Sequence, residues 1–133
     1  MKKILFLWLF AFILFACSRQ SSKESLETVT EMKLPDGYSV LKDDRQQLDR
    51  DFFVQYDLKF NADSTQQLIR EIKSSKYYAA GHAQLLYDSI WYEDESLYKF
   101  EARNAAMNRK YEITFNPATG ILNYVEYSES MKL

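Results

Sequence analysis

Cysteine, histidine, glycine and proline are scarce in this chain. Its 133 residues include one Cys, one His, three Gly and two Pro. A single Cys permits no disulfide within the monomer, so the fold has to hold by packing alone. Zinc sites gather three or four His, Cys or carboxylate ligands, and here the only soft donors are Cys17 and His82. A Ser-His-Asp or Cys-His catalytic set would have to run through that one His. The plain reading of His82, within Ala79-Ala80-Gly81-His82-Ala83, is a solvent-exposed or capping residue in a helix-exit loop. The glycines stand far apart, at positions 37, 81 and 120, which excludes a Gly-rich phosphate loop. Long apolar runs are absent too. The apolar core of residues 4–15 is twelve residues, whereas a helix crossing hydrocarbon needs about 20.

Excess positive charge is also missing. With 17 basic and 19 acidic residues the formal charge is −2, which offers nucleic acid no basic face. The acidic residues do not form a recognisable site. Glu93-Asp94-Glu95 lacks the spacing of a calcium loop and reads as a solvated turn. Asp43, Asp44, Asp49 and Asp51 have no evident scaffold that would converge them, although carboxylate-pair hydrolysis stays open. No metal and no cofactor is implied.

What is present begins at the N-terminus. Lys2 and Lys3 precede the apolar run, and Ala16 and Cys17 follow it. A basic start, a short apolar core and a small residue before a cut form the layout of a signal peptide. Leu14-Phe15-Ala16-Cys17 resembles the lipobox of bacterial lipoproteins. That resemblance implies cleavage before Cys17, diacylation of its thiol, acylation of the new amino group and attachment to a membrane of the cell envelope. Phe15 is bulkier than the usual residue at its position. Ser18 rather than Asp follows the Cys, which by the same resemblance implies the outer membrane, facing the periplasm, where the organism has one. The plainer alternative is an ordinary cleaved signal, or an uncleaved anchor, with a chance Cys.

Removing residues 1–16 takes away two Lys and no acid, leaving 117 residues with a formal charge of −4. That length suits one modest domain. Residues 17–33 are polar and read as the lipidated Cys followed by a flexible tether. Leu34-Pro35-Asp36-Gly37-Tyr38 signals a turn and the start of a domain spanning residues 34–129, with 130–133 frayed. Residues 42–51 are highly charged and fit either a loop or a short helix on Leu41 and Leu48.

Phe52, Val54, Tyr56, Leu58 and Phe60 alternate with mostly polar neighbours and predict a strand. A helix is expected over residues 63–76, capped by Asp63 with Gln66 completing a capping box. Leu68, Ile69 and Ile72 form its apolar stripe. Four further strands follow, near residues 85–92, 97–103, 110–115 and 121–127, joined by short connectors. Short connectors make antiparallel neighbours. The expectation is therefore an α+β domain: one antiparallel sheet of about five strands, with one helix packed across one face. The order of elements resembles cystatin-like folds. Tyr111-x-Ile113-x-Phe115-Asn116-Pro117-x-Thr119-Gly120 resembles the terminal hairpin of PepSY-type domains. No inhibitor motif of the cystatins is present, so only the architecture is implied.

The surplus is aromatic. Ten Tyr, five Phe and one Trp remain after residue 16. Tyr combines an apolar ring with a wet end and suits both core edges and binding faces. A sheet covered by one helix has a second face, and Trp91, Tyr92, Tyr98 and Tyr124 are the candidate binding residues, although Trp91 and Tyr92 point opposite ways. The competing reading is a core closed on both sides, or edge aromatics that pack within the domain. The functional expectation is a membrane-anchored envelope lipoprotein with a small non-catalytic binding domain for a protein or envelope polymer. A small periplasmic hydrolase using carboxylates, and an immunity or inhibitor lipoprotein, are the alternatives.

Overall fold

A computed structural model describes residues 20–79 and 89–130. The signal segment, Cys17, His82 and residues 131–133 lie outside the described residues. Two helices and six strands follow in the order α1 (Ser22–Thr30), β1 (Tyr38–Leu48), β2 (Asp51–Phe60), α2 (Ala62–Ser74), β3 (Ser89–Asp94), β4 (Leu97–Asn104), β5 (Arg109–Asn116) and β6 (Ile121–Ser128). The strands form one sheet in the order β1-β2-β6-β5-β4-β3, every pair antiparallel. The α+β class, the single antiparallel sheet and the packed helix are as the sequence predicts. The sheet has six strands rather than five, and a second helix contributes to the same core.

The extra strand is β1. Its charged stretch pairs with β2 from Tyr38↔Phe60 to Leu48↔Asp51, with an irregularity between Val40 and Lys42. It is an edge strand, so backbone pairing suffices and its side chains can stay polar. The extra helix is α1, in a segment expected to be a flexible tether. Ser21 caps it by accepting from the Glu24 amide, and Ser22, Leu26 and Thr30 are buried at four-residue spacing. Leu26 joins the core together with Met32 and Leu34. Residues 22–34, expected to lie within or next to a tether, are thus part of the packed structure.

β2 needs no revision in its alternation: Val54, Tyr56, Leu58 and Phe60 are buried. α2 starts one residue before the expected position. Its cap is Asn61, whose Oδ1 accepts from the Ser64 amide at 2.8 Å, and Asp63 sits in the first turn. Leu68 and Ile72 are 1% and 0% exposed and lie on the sheet. After α2 the chain reaches the far edge. There Tyr77 and Ala79 exchange backbone hydrogen bonds with Trp91, at 2.8 and 2.9 Å, and so cover part of β3. Residues 85–88, expected in this strand, lie outside the described residues.

Tight turns close the hairpins. The β3–β4 connection is only Glu95-Ser96, both at positive φ (52° and 85°), because Glu93 and Asp94 belong to the strand. Two-residue hairpins with both φ positive match the twist of their strands. At the β5–β6 turn Gly120 takes φ 71°, and its carbonyl accepts from the Phe60 amide at 2.8 Å. This contact locks the turn onto the end of β2.

Candidate functional site

The cross-strand register sorts every strand residue onto one of two faces. The helix-covered face carries Val54, Tyr56, Leu58, Leu122, Tyr124, Ile113, Phe115, Tyr98, Phe100 and Trp91. The opposite face carries Ile90, Tyr92, Lys99, Glu101, Glu112, Val125 and Tyr127, among others.

The four aromatic binding candidates do not form an exposed surface. Trp91, Tyr98 and Tyr124 point to the helix-covered face and are 1%, 8% and 0% exposed. Trp91 stacks on Phe100 with centroids 5.0 Å apart, and Tyr98 packs on Phe115 at 6.4 Å. Tyr92 lies on the opposite face, yet it too is buried, and its hydroxyl donates to Glu101 Oε1 at 3.0 Å. Tyr127 mirrors it by donating to Glu112 Oε1 at 2.9 Å. Burial, with Glu101 beside one and Glu112 beside the other, pushes both phenols up to about 12. Large rings on strands lose more by staying wet than by packing against their neighbours. For these four residues, packing within the domain is what the structure contains.

A different group is brought together at the other end of the helix-covered face. Registers across five strands align Val54, Glu126, Tyr111, Ala102 and Ser89 in one row. Helix α1 passes over this row. Between them lies a cleft of about 500 Å³, bordered by Gln20, Ser25, Thr28 and Val29 on the helix side. Tyr111, Ala102 and Glu126 line the sheet side, and Arg103, Asn104 and Met107 line the rim from the β4–β5 hairpin.

Glu126 is the one acidic residue of this lining. It is 8% exposed. The Tyr124 hydroxyl donates to its Oε2 at 2.9 Å, and among the described residues it forms no ion pair. Burying a carboxylate without a paired cation is costly, so few folds retain one by chance. Burial holds the Tyr124 phenol far above its ordinary range, and Glu126 adds to the effect. Tyr111 is raised by the same two causes in the same order, with Arg109 opposing. Both phenols therefore stay protonated at neutral pH. Positive charge stands nearby but is engaged with a ring. The guanidinium of Arg109 lies 3.6 Å from the Phe52 centroid and that of Arg45 5.8 Å. Such cation–π contacts hold a charge in place without neutralising it.

A buried carboxylate facing a cleft can accept hydrogen bonds from a bound amine, guanidinium or hydroxyl. The second acid that carboxylate-pair hydrolysis requires is not in the lining. The Glu93, Asp94 and Asp43 carboxylates are engaged elsewhere, with Tyr78 at 2.7 Å, Lys99 at 2.5 Å and Ser22 at 2.6 Å respectively. Among the described residues no group of His, Cys, Asp and Glu is gathered to hold a metal ion. A second hollow, of about 520 Å³, lies between the start of α2 and the β5–β6 turn, and no buried charge faces it.

Sequence reasoning passed over Glu126. Its signal was parity: Leu122, Tyr124 and Glu126 share one side of β6, so an acid stands at an inward position of an otherwise apolar strand. The chain matches no family model, no curated protein and no solved structure.

Proposed function

We propose that this chain is a lipid-anchored, non-catalytic binding module of a bacterial cell envelope, and that it takes its ligand in the cleft over Glu126. The anchor is supported by the basic start, the twelve-residue apolar core and Ala16-Cys17. Several acyl chains on one residue give stable anchoring, which a single chain does not. The protein would face the periplasm from the outer membrane where there is one.

The observation that carries the binding reading is Glu126: a carboxylate that is buried, bonded to one phenol, unpaired with any described cation and placed on a cleft. A ligand carrying an amine or guanidinium would supply the missing partner. Tyr111, Ser25 and Thr28 offer further polar contacts along the lining. Such a group belongs to a protein or peptide chain, or to an amine-bearing envelope polymer.

The test is isothermal titration with short Lys- and Arg-containing peptides against the same peptides with acetylated amines. Binding is expected for the cationic set, with at least tenfold loss in Glu126→Gln. That variant keeps an acceptor for Tyr124, so it should remain folded. Equal affinity in both proteins, with the circular dichroism spectrum intact, would remove Glu126 from the site. For the anchor, Cys17→Ser should release the protein from the membrane fraction.

A further inference from the structure

The chain enters the fold at one end of the sheet. The Gln20 carbonyl accepts from Arg45 Nη2 at 3.0 Å, and Gln20 borders the same cleft as Met107. The strand register puts two hairpins at this end: Leu48↔Asp51 closes β1–β2, and Asn104↔Arg109 closes β4–β5. The β3–β4 and β5–β6 turns lie at the opposite end, about 25 Å away at roughly 3.3 Å per strand residue.

Three residue steps separate Cys17 from Gln20. At no more than about 3.6 Å per residue they span at most about 11 Å. The acyl chains of a lipidated Cys lie in the hydrocarbon, and the headgroup layer above it is only about 5–8 Å deep. Gln20 is then held at the bilayer surface, with no slack to lift the domain away. The hairpin end must face the headgroups.

The chemistry of that end fits. The β4–β5 turn reads Asn104-Ala105-Ala106-Met107-Asn108, with no charge, and its Met107 is 63% exposed, more than Val40 or Leu41. The β1–β2 turn carries Asp49, Arg50 and Asp51, a net charge of −1, whereas the β4–β5 turn is followed at once by the basic pair Arg109-Lys110. An uncharged tip with one flexible apolar side chain can enter the headgroup layer at little cost, whereas an acidic one would be repelled by anionic lipid.

We propose that the 104–108 turn is a membrane-contacting element, with Met107 seated in the headgroup layer of the same bilayer that holds the lipid on Cys17. The cleft over Glu126 then opens beside the membrane, within reach of ligands confined to that surface. This rests on lipidation of Cys17.

The test uses the full chain, purified from membranes and reconstituted into phosphatidylethanolamine–phosphatidylglycerol vesicles. A lipidated Cys17 has no free thiol, so a cysteine introduced by Met107→Cys, or by Ala118→Cys at the far end, is the sole site for a fluorescent label. Nitroxide lipids carrying the quencher near the headgroup should quench the label at 107 at least threefold more than the label at 118. Equal, weak quenching at both positions overturns the membrane contact and leaves the anchor standing. Labelling of the parent protein at Cys17 overturns the anchor, and the contact falls with it.

Discussion

Leu26→Ala asks whether the segment after Cys17 belongs to the fold. Leu26 is 2% exposed, on a nine-residue helix. A helix that short does not persist in water on its own, so its order comes from packing. Ala is at least as good a helix former as Leu, so propensity does not supply the loss. What is lost is the buried side chain and the space it leaves, about 2–5 kcal/mol for Leu→Ala in a core. We take about 3 kcal/mol. For a domain this size the urea dependence is about 1–3 kcal/mol/M, so the midpoint should fall by about 1–3 M. The assay is urea unfolding of a soluble form starting at Ser18, followed by far-UV circular dichroism. A change below about 0.5 kcal/mol, the range of ordinary surface substitutions, would refute the packing of α1 and restore a flexible tether.

Three further predictions test local features. Asn61→Ala should cost about 1 kcal/mol of stability by removing the cap of α2, and Asp63→Ala clearly less, because Asp63 contributes only its charge to the first turn; denaturant midpoints of the two variants decide which residue is the cap. Gly120→Ala should cost about 1–3 kcal/mol, since φ is 71° and a Cβ there would stand 2.6 Å from the Phe60 carbonyl oxygen; a neutral result would show that the β5–β6 turn is not locked to β2. Stability should also fall at high pH. Tyr56, Tyr92 and Tyr127 are pushed up to about 12, burial being the first cause in each, and Tyr124 is raised further. Raised phenols keep their protons in the folded state while the unfolded chain loses them near pH 10. Their stabilising contribution is complete below pH 10 and declines through the folded values, by about 1.4 kcal/mol per pH unit for each such Tyr. Absorbance at 295 nm during titration should show these phenols ionising together with unfolding, and reversible ionisation near pH 10 in the folded protein would contradict it.

The parts of the fold legible in the sequence are those where apolar periodicity and burial coincide. β2 was one: Val54, Tyr56, Leu58 and Phe60 alternate in the sequence and are buried in the structure. α2 was another, through Leu68 and Ile72. α1 escaped because two of its three buried residues are polar. Ser22 and Thr30 have the spacing of a buried face but not its chemistry; each hydroxyl is satisfied, Ser22 by Asp43 and Thr30 by the Leu26 carbonyl. β1 escaped because an edge strand is held by its backbone. Its bulge at Leu41 also shifts the alternation midway, so neither a period of two nor a helical period fits. Parity makes Trp91 and Tyr92 point to opposite faces, but it does not say which face the helices cover or how deeply each ring is buried. Parity says which way a ring points, and burial depends on which neighbours close over it.

The two margins of the sheet are unlike, and this bears on how copies of the protein behave when crowded. β3 is partly sealed by the Tyr77–Ala79 backbone, whereas β1 offers eleven residues of edge with Val40 and Leu41 half exposed. Molecules gathered on a surface meet far more often than the same number in solution. An open, flat, apolar margin would then let one copy zip onto the next. Lys42-Asp43-Asp44-Arg45 and the bulge at Leu41 oppose this with charge and with a kink that spoils the register of an incoming strand. Replacing those four residues by Thr and Val would remove the barrier, so the polar sequence that conceals β1 as a strand also guards its edge.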